Sequence, residues 1–140
     1  MGGIEMKLKY PKKPTLLKEV NYKDYQHANL YLSRFITEDV PVLIIALNES
    51  NIIAICNINP EEYYLNDFEF VIKDYSENEG MMEWLVANNL MEPPHGLYPS
   101  GWVAMPVCYA TQELETLILK SLMAEIEQKA VTDYIKGDKP

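Results

Sequence analysis

The sequence predicts an α+β protein in which a mainly antiparallel sheet of about four or five strands packs against two helices. Three observations predict this class: short apolar runs with strand periodicity, a polar turn joining two of those runs, and two stretches with helical spacing of apolar residues. The chain has 140 residues, of which 48% are hydrophobic and 24% are charged, as expected for one globular domain. A central hairpin followed by helices is typical of the α+β order.

Five stretches have the pattern of strands. Residues 29–35 alternate between two faces and are rich in β-favouring side chains. Residues 40–47 and 52–58 are apolar on both faces and are joined by four polar residues, which predicts a central hairpin covered on both sides. Residues 68–73 and 102–109 complete the predicted sheet.

Two stretches have the spacing of helices. In "DYSENEGMMEWL", Ser76 and Glu79 have the spacing of a capping box, and the apolar residues after them predict a helix at about residues 77–90. Thr111 is a candidate cap for a long C-terminal helix at about residues 112–135.

The charges divide the chain into a basic N-terminal arm, residues 1–27, and a core domain, residues 28–110. A C-terminal part, residues 111–140, carries the last helix, which packs on the core or extends it. The arm has six lysines against three acids, a net charge of +3, whereas residues 61–92 have nine acids against Lys73 alone, a net charge of −8. This acidic block disfavours direct binding of nucleic acid because phosphates would be repelled, and it is compatible with a basic protein partner or with solubility alone.

The sequence contains no motif for catalysis, for a metal or for a cofactor. His27 and His95 lack the spacing of a metal or catalytic pair, and Cys56 and Cys108 lie in apolar runs typical of buried free thiols. The acids of residues 74–79 do not form the ladder of a calcium loop. We therefore predict a protein that is not an enzyme and has no cofactor. The alternative is an enzyme whose site gathers His27 or His95 with carboxylates in a pocket.

No stretch of the sequence has the pattern of a membrane segment. The longest apolar run, residues 40–47, is far shorter than the ~20 residues that span a bilayer. The N-terminus lacks the apolar core of a signal peptide. We therefore expect a cytoplasmic protein that does not bind a membrane.

Three features of the predicted helix indicate a binding face. Gly80 would cost about 1 kcal/mol relative to Ala inside a helix, Glu79 and Glu83 would repel each other, and Trp84 lies at the edge of the apolar stripe. Acids around a partly exposed Trp are typical of a protein-binding surface. The predicted partner-binding residues are Glu61, Glu62, Asp74, Glu77, Glu79, Glu83 and Trp84. The alternative is that Trp84 packs in the core and the acids are only solvated, and for Trp102 we expect packing in the core or at its rim.

Three segments also carry a family resemblance: "VLIIALNESNIIAICNINP", "VIKDYSENEGMMEWLVANNLMEPP" and "PSGWVAMPVC". From about Leu30 to Cys108 the chain resembles a small domain family of unassigned function, carried on mobile elements and phages of gut bacteria, especially Bacteroidetes. The resemblance implies cargo of a phage or conjugative element and implies no activity.

The size and acidity of the chain are similar to those of anti-CRISPR proteins, several of which look like nucleic-acid mimics that occupy the basic channel or the PAM-reading site of an RNA-guided nuclease. We therefore expect a non-enzymatic counter-defence inhibitor that binds the basic surface of a host CRISPR-associated nuclease. The alternative is an interaction or assembly protein of a mobile element, which forms a homodimer through the C-terminal helix and has no inhibitory activity.

Overall fold

The computed structural model describes residues 9–35 and 39–137, with side chains as far as Tyr134. In this part of the chain, eight strands form two antiparallel sheets of four strands each, accompanied by two α-helices and a short 3₁₀ helix, which confirms the α+β class. The strands are β1 Thr15–Tyr22, β2 Tyr25–Arg34, β3 Pro41–Asn48, β4 Asn51–Ile55, β5 Asn57–Ile58, β6 Glu69–Ile72, β7 Gly96–Ser100 and β8 Val103–Tyr109. The helices are α1 Met81–Ala87 and α2 Gln112–Gly137, and the 3₁₀ helix is Ser76–Asn78.

The first sheet is a meander in the order β1-β2-β3-β4. Its central hairpin is the predicted one, with Asn48 paired to Asn51 across the turn between β3 and β4. Strand β1 comes from the predicted basic arm and pairs with β2 along most of its length, so residues 15–22 are part of the sheet. Residues 1–8 of the arm lie outside the described residues.

The second sheet has the order β5-β6-β8-β7, and it was missed by the sequence prediction of a single sheet. The predicted strand at residues 52–58 is divided into β4 and β5 at Cys56. At the division, the Asn57 side chain replaces a stretch of backbone pairing: its Oδ1 accepts from Leu43 N at 2.8 Å and its Nδ2 donates to the Pro41 carbonyl at 2.9 Å. Asn57 thus anchors the chain to β3 while β5 leaves to pair with β6.

The predicted helix at residues 77–90 is wrong in its bounds, because the chain forms a 3₁₀ helix and then the shorter α1. Gly80 separates them with a φ of +91°, in the left-handed region that favours glycine. The capping box of Ser76 and Glu79 does not form, because Ser76 begins the 3₁₀ helix and neither helix start has a side-chain cap. Instead, Asp74 Oδ1 accepts a hydrogen bond from Gly80 N at 2.7 Å.

One hydrophobic cluster joins both sheets to both α-helices. Its large, fully buried members include Leu30, Phe70, Met81, Leu85 and Leu114. A smaller cluster around Val71, Met105 and Val107 covers the other face of the second sheet.

The two cysteines are buried free thiols, as predicted. Burial raises the pKa of Cys56, and burial together with the charge of Asp74 raises the pKa of Cys108 to about 11. None of the helices in the described part of the chain has the length and apolar character that a membrane crossing requires.

Candidate functional site

The acidic block does not form one surface, because strand β6 divides it. The loop between β5 and β6 carries Glu61, Glu62 and Asp67, which we call the loop acids. Asp74, Glu77, Glu79 and Glu83 follow β6, and we call them the cap acids. Strand β6 has four residues, so at about 3.3 Å per residue the two groups lie beyond opposite ends of a strand about 13 Å long.

Two of the four cap acids have partners within their own segment. The Asp74 carboxylate is bonded to the Gly80 N–H. Glu77 accepts a hydrogen bond from Lys73 Nζ at 2.8 Å, and this bond is the main cause that lowers the pKa of Glu77 to about 2. Glu79 and Glu83 are exposed, and Glu79 lies outside α1, so the predicted repulsion within one helix does not arise.

Trp84, predicted to bind a partner, is half-buried and packs against the main hydrophobic cluster. Its Nε1 donates a hydrogen bond to the Asn21 carbonyl at 2.9 Å. Its ring meets the buried Tyr22 edge-on, with ring centroids 5.1 Å apart and planes at 88°. These contacts join α1 to the hairpin of β1 and β2, so Trp84 has a structural role that explains its position at the edge of the stripe.

The loop acids border a groove of about 450 Å³ between the β5–β6 loop and the end of the first sheet. Its lining combines aromatic rings and carboxylates, which are Tyr10, Tyr63, Tyr64, Phe68, Asp39, Asp67 and Glu69. Glu61 and Glu62 line an adjoining hollow that shares Tyr63 and Tyr64 with the groove. The groove therefore offers aromatic faces next to negative charge.

The negative charge of the groove acts on its tyrosines. Burial, followed by the charges of Asp67 and Asp39, raises the pKa of Tyr10. Partial burial and the charge of Glu69 raise the pKa of Tyr63. Asp39 also accepts a hydrogen bond from Tyr10 N at 3.0 Å, which fixes the N-terminal wall of the groove.

A buried carboxylate holds the opposite wall. Glu69 is only 4% exposed, and its Oε2 lies 2.6 Å from His95 Nε2. Its Oε1 accepts from Asn66 N at 2.9 Å, and Asn66 Nδ2 donates to the Tyr109 hydroxyl at 2.9 Å. The His95 ring stacks on the Tyr109 ring, with the ring centroids 4.4 Å apart. These contacts connect the loop to the starts of β6 and β7 and to the end of β8.

The enzyme alternative predicted that His27 or His95 lies beside a carboxylate. His95 does so, in its pair with Glu69. A carboxylate–imidazole pair can move a proton, and the contacts of this pair also hold the loop, so we call it the clip. His27 lies elsewhere, exposed on β2 in contact with Glu19. Within the described residues, no group of three or more His, Cys, Asp or Glu side chains is placed to hold a metal ion. The sequence carried one signal of this pair. Glu69 lies two residues before the apolar Val71 and so on the same face of the predicted strand.

The residue that sequence reasoning missed is Trp102. It is fully exposed, at 104% of its reference area, in the turn between β7 and β8. The expected packing of Trp102 in or beside the core is therefore wrong. Gly101, with a φ of +60°, supplies the left-handed residue of the two-residue turn between Ser100 and Val103.

Strand β7 and the acidic loop are held together. The Tyr98 hydroxyl donates to the Glu61 carbonyl at 2.9 Å, and the rings of Tyr98 and Tyr63 meet edge-on at 5.8 Å. The hairpin with Trp102 and the loop with Tyr64, itself 92% exposed, are thus parts of one connected region.

Comparisons of this chain with protein family models, with curated protein sequences and with solved structures find no match.

Proposed function

We propose that this chain is a non-enzymatic acidic protein that binds a basic surface of a host protein through the loop acids and the groove beside them. The observation that carries the proposal is the combination of Tyr63 and Tyr64 with the Asp67 carboxylate in one groove, beside Asp39, which already lies 3.9 Å from Arg34 Nη1. An arginine side chain suits such a lining, because the flat guanidinium stacks on aromatic faces and pairs with carboxylates.

The surroundings of the groove support the same partner chemistry. Glu61 and Glu62 are exposed and take part in no ion pair with another described residue. Trp102 extends from the adjoining hairpin, and tryptophan is the residue most often found at energetically important contacts between proteins. Glu79 and Glu83 offer a second, smaller acidic surface beyond the other end of β6.

A second part of the proposal concerns the biological role of this binding. We propose counter-defence of the anti-CRISPR type: the partner is a host CRISPR-associated nuclease in the cytoplasm, whose arginines and lysines normally meet phosphates and base edges. In this role the chain contacts neither nucleic acid nor a membrane. This part rests on the resemblance to a mobile-element family that we expect for residues 30–108, and the acidity of the loop supports the choice of a nucleic-acid-binding surface.

The experiment measures target cleavage by purified, guide-loaded CRISPR nucleases, and the binding of the same nucleases to this chain on a sensor surface. We expect inhibition of at least one nuclease and binding that weakens strongly from low to high salt. The paired substitution E61K/E62K should slow association by about tenfold or more, because it reverses two exposed charges.

A charge-matched control is available in E79K/E83K, which makes the same change on the cap acids. An effect of E61K/E62K alone supports the loop acids as the contact surface, and an effect of E79K/E83K alone moves the contact to the cap acids. Salt-insensitive binding, or unchanged association in both variants, would overturn the charge-based proposal. Binding to a basic protein without inhibition of any nuclease would overturn only the counter-defence role.

A further inference from the structure

Among the described side chains of helix α2, only those of its first half pack on the body of the protein. Leu114, Ile118 and Leu122 are buried in the main cluster, and they form the stripe that faces the sheets. From Met123 to Tyr134 every described side chain is exposed. Isolated helices shorter than about 12–15 residues are marginal in water, so this second half lacks the packing that usually stabilises a helix.

The exposed half carries an apolar stripe of its own. Met123, Ile126 and Tyr134 are 59%, 67% and 72% exposed, and Leu119 precedes them at 36%. With Ala130, these residues follow one another at intervals of three or four, which places them on one helix face. At about 100° per residue, the centre of this stripe lies about 120° around the axis from the buried stripe. The described part of the same chain, residues 9–35 and 39–137, therefore leaves this face open.

The charges beside the stripe indicate what covers it. Lys120 and Glu127 lie on the same flank of the stripe, seven residues apart, and neither is in an ion pair with another described residue. When two such helices pair antiparallel, like flanks face each other, so Lys120 of one copy meets Glu127 of the other, twice by symmetry. In the same register Met123 lies opposite Ile126, and Leu119 lies opposite Ala130.

A parallel pair lacks this complementarity. In that arrangement opposite flanks meet, and Glu127 would face Leu122 while Lys129 would face Tyr134. Only the antiparallel arrangement brings opposite charges together.

We propose that the second half of α2 pairs antiparallel with the same helix of a second copy of this chain, so that the protein forms a two-fold symmetric dimer. The stripe contains five side chains, which is small beside the ~800 Å² that each partner buries in a typical stable interface. We therefore expect a weak dimer, with a dissociation constant of the order of 10 µM. It places two copies of the groove on one particle.

The test is sedimentation velocity on the full chain from about 1 µM to about 1 mM, a range that brackets the expected dissociation constant. We expect the average mass to rise from that of one chain toward that of two. Ile126→Glu should raise the dissociation constant at least about 100-fold, because the charge enters the symmetric interface twice. Val131→Glu is the matched control: it is also exposed, at 58%, but lies about 100° from the stripe centre, and it should change the constant less than about threefold.

A charge exchange tests the orientation. Lys120→Glu should weaken the dimer about tenfold, and the double variant K120E/E127K should restore it, because the interacting charges are only exchanged. A single-chain mass at all concentrations would overturn the dimer. Equal effects of Ile126→Glu and Val131→Glu would overturn the stripe as its interface, and failure of the double variant to restore the dimer would overturn the antiparallel pairing. Circular dichroism of each variant confirms that the exposed substitutions leave the fold intact.

Discussion

The segments 59–69 and 74–84 lie at opposite ends of strand β6 and have similar compositions, since each carries several acids and aromatic residues. In segment 74–84, Asp74 and Glu77 are bonded to nearby residues of the chain, and Trp84 is bonded to the distant Asn21 carbonyl. In segment 59–69, the exposed acids and Tyr64 point to solvent around a groove, and only the buried Glu69 is fully engaged.

The difference arises from the structural role of each segment. Segment 74–84 starts a helix, where free backbone N–H groups need acceptors, and it must attach that helix to a sheet. Its polar side chains are therefore used locally. Segment 59–69 is held by the buried Glu69 and by the contacts of Tyr98 with Glu61 and Tyr63, and its exposed acidic side chains are available for a partner. Acidic composition alone does not distinguish a binding surface from a helix start.

The largest expected effect separates the two tryptophans. Trp84→Ala should lower the free energy of unfolding by about 3 kcal/mol, because it removes the ring contact with Tyr22 and the donor to the Asn21 carbonyl. The matched change Trp102→Ala removes a fully exposed ring and should alter stability by less than about 0.5 kcal/mol. Urea unfolding followed by circular dichroism measures both, and similar losses in the two variants would contradict the contrast.

A smaller effect tests the clip of the groove. Glu69→Ala should cost about 2 kcal/mol, because it leaves the Asn66 N–H and the His95 ring without their acceptor. The control is Glu61→Ala, an exposed acid of the same loop, which should be nearly neutral. Amide hydrogen exchange should accelerate at residues 59–69 in the Glu69 variant alone, and unchanged exchange there would show that the clip does not hold the loop.

The smallest expected effect is at Gly80, where the sign of the stability change distinguishes two structures. Gly80→Ala should destabilise the protein by about 1 kcal/mol, because alanine strains the left-handed backbone that glycine adopts here. A glycine inside a helix predicts the reverse, a gain of about 1 kcal/mol with alanine. Gly96→Ala is the control, since Gly96 has open space and no left-handed backbone. Thermal unfolding of both variants decides whether Gly80 has the left-handed backbone between two helices or lies inside one continuous helix.

The sequence by itself determined the features that depend on neighbouring residues. Strand periodicity, the turn between β3 and β4, the burial of both cysteines and the long last helix follow from local patterns, and the α+β class follows from their order. The capping box was also a local inference, and it was wrong because Ser76 begins a 3₁₀ helix and α1 starts only after Gly80.

Only the tertiary structure determined the positions and contacts of the acids and of the two tryptophans. The division of the apolar run at Cys56 depends on Asn57 reaching β3, and the role of Trp84 depends on a hairpin about sixty residues away in the chain. The Glu69–His95 clip likewise joins residues 26 positions apart. Such contacts depend on which chain segments meet in space. A local pattern of charge and hydropathy does not contain that information, which is why the acidic block appears uniform in the sequence and is divided in the fold.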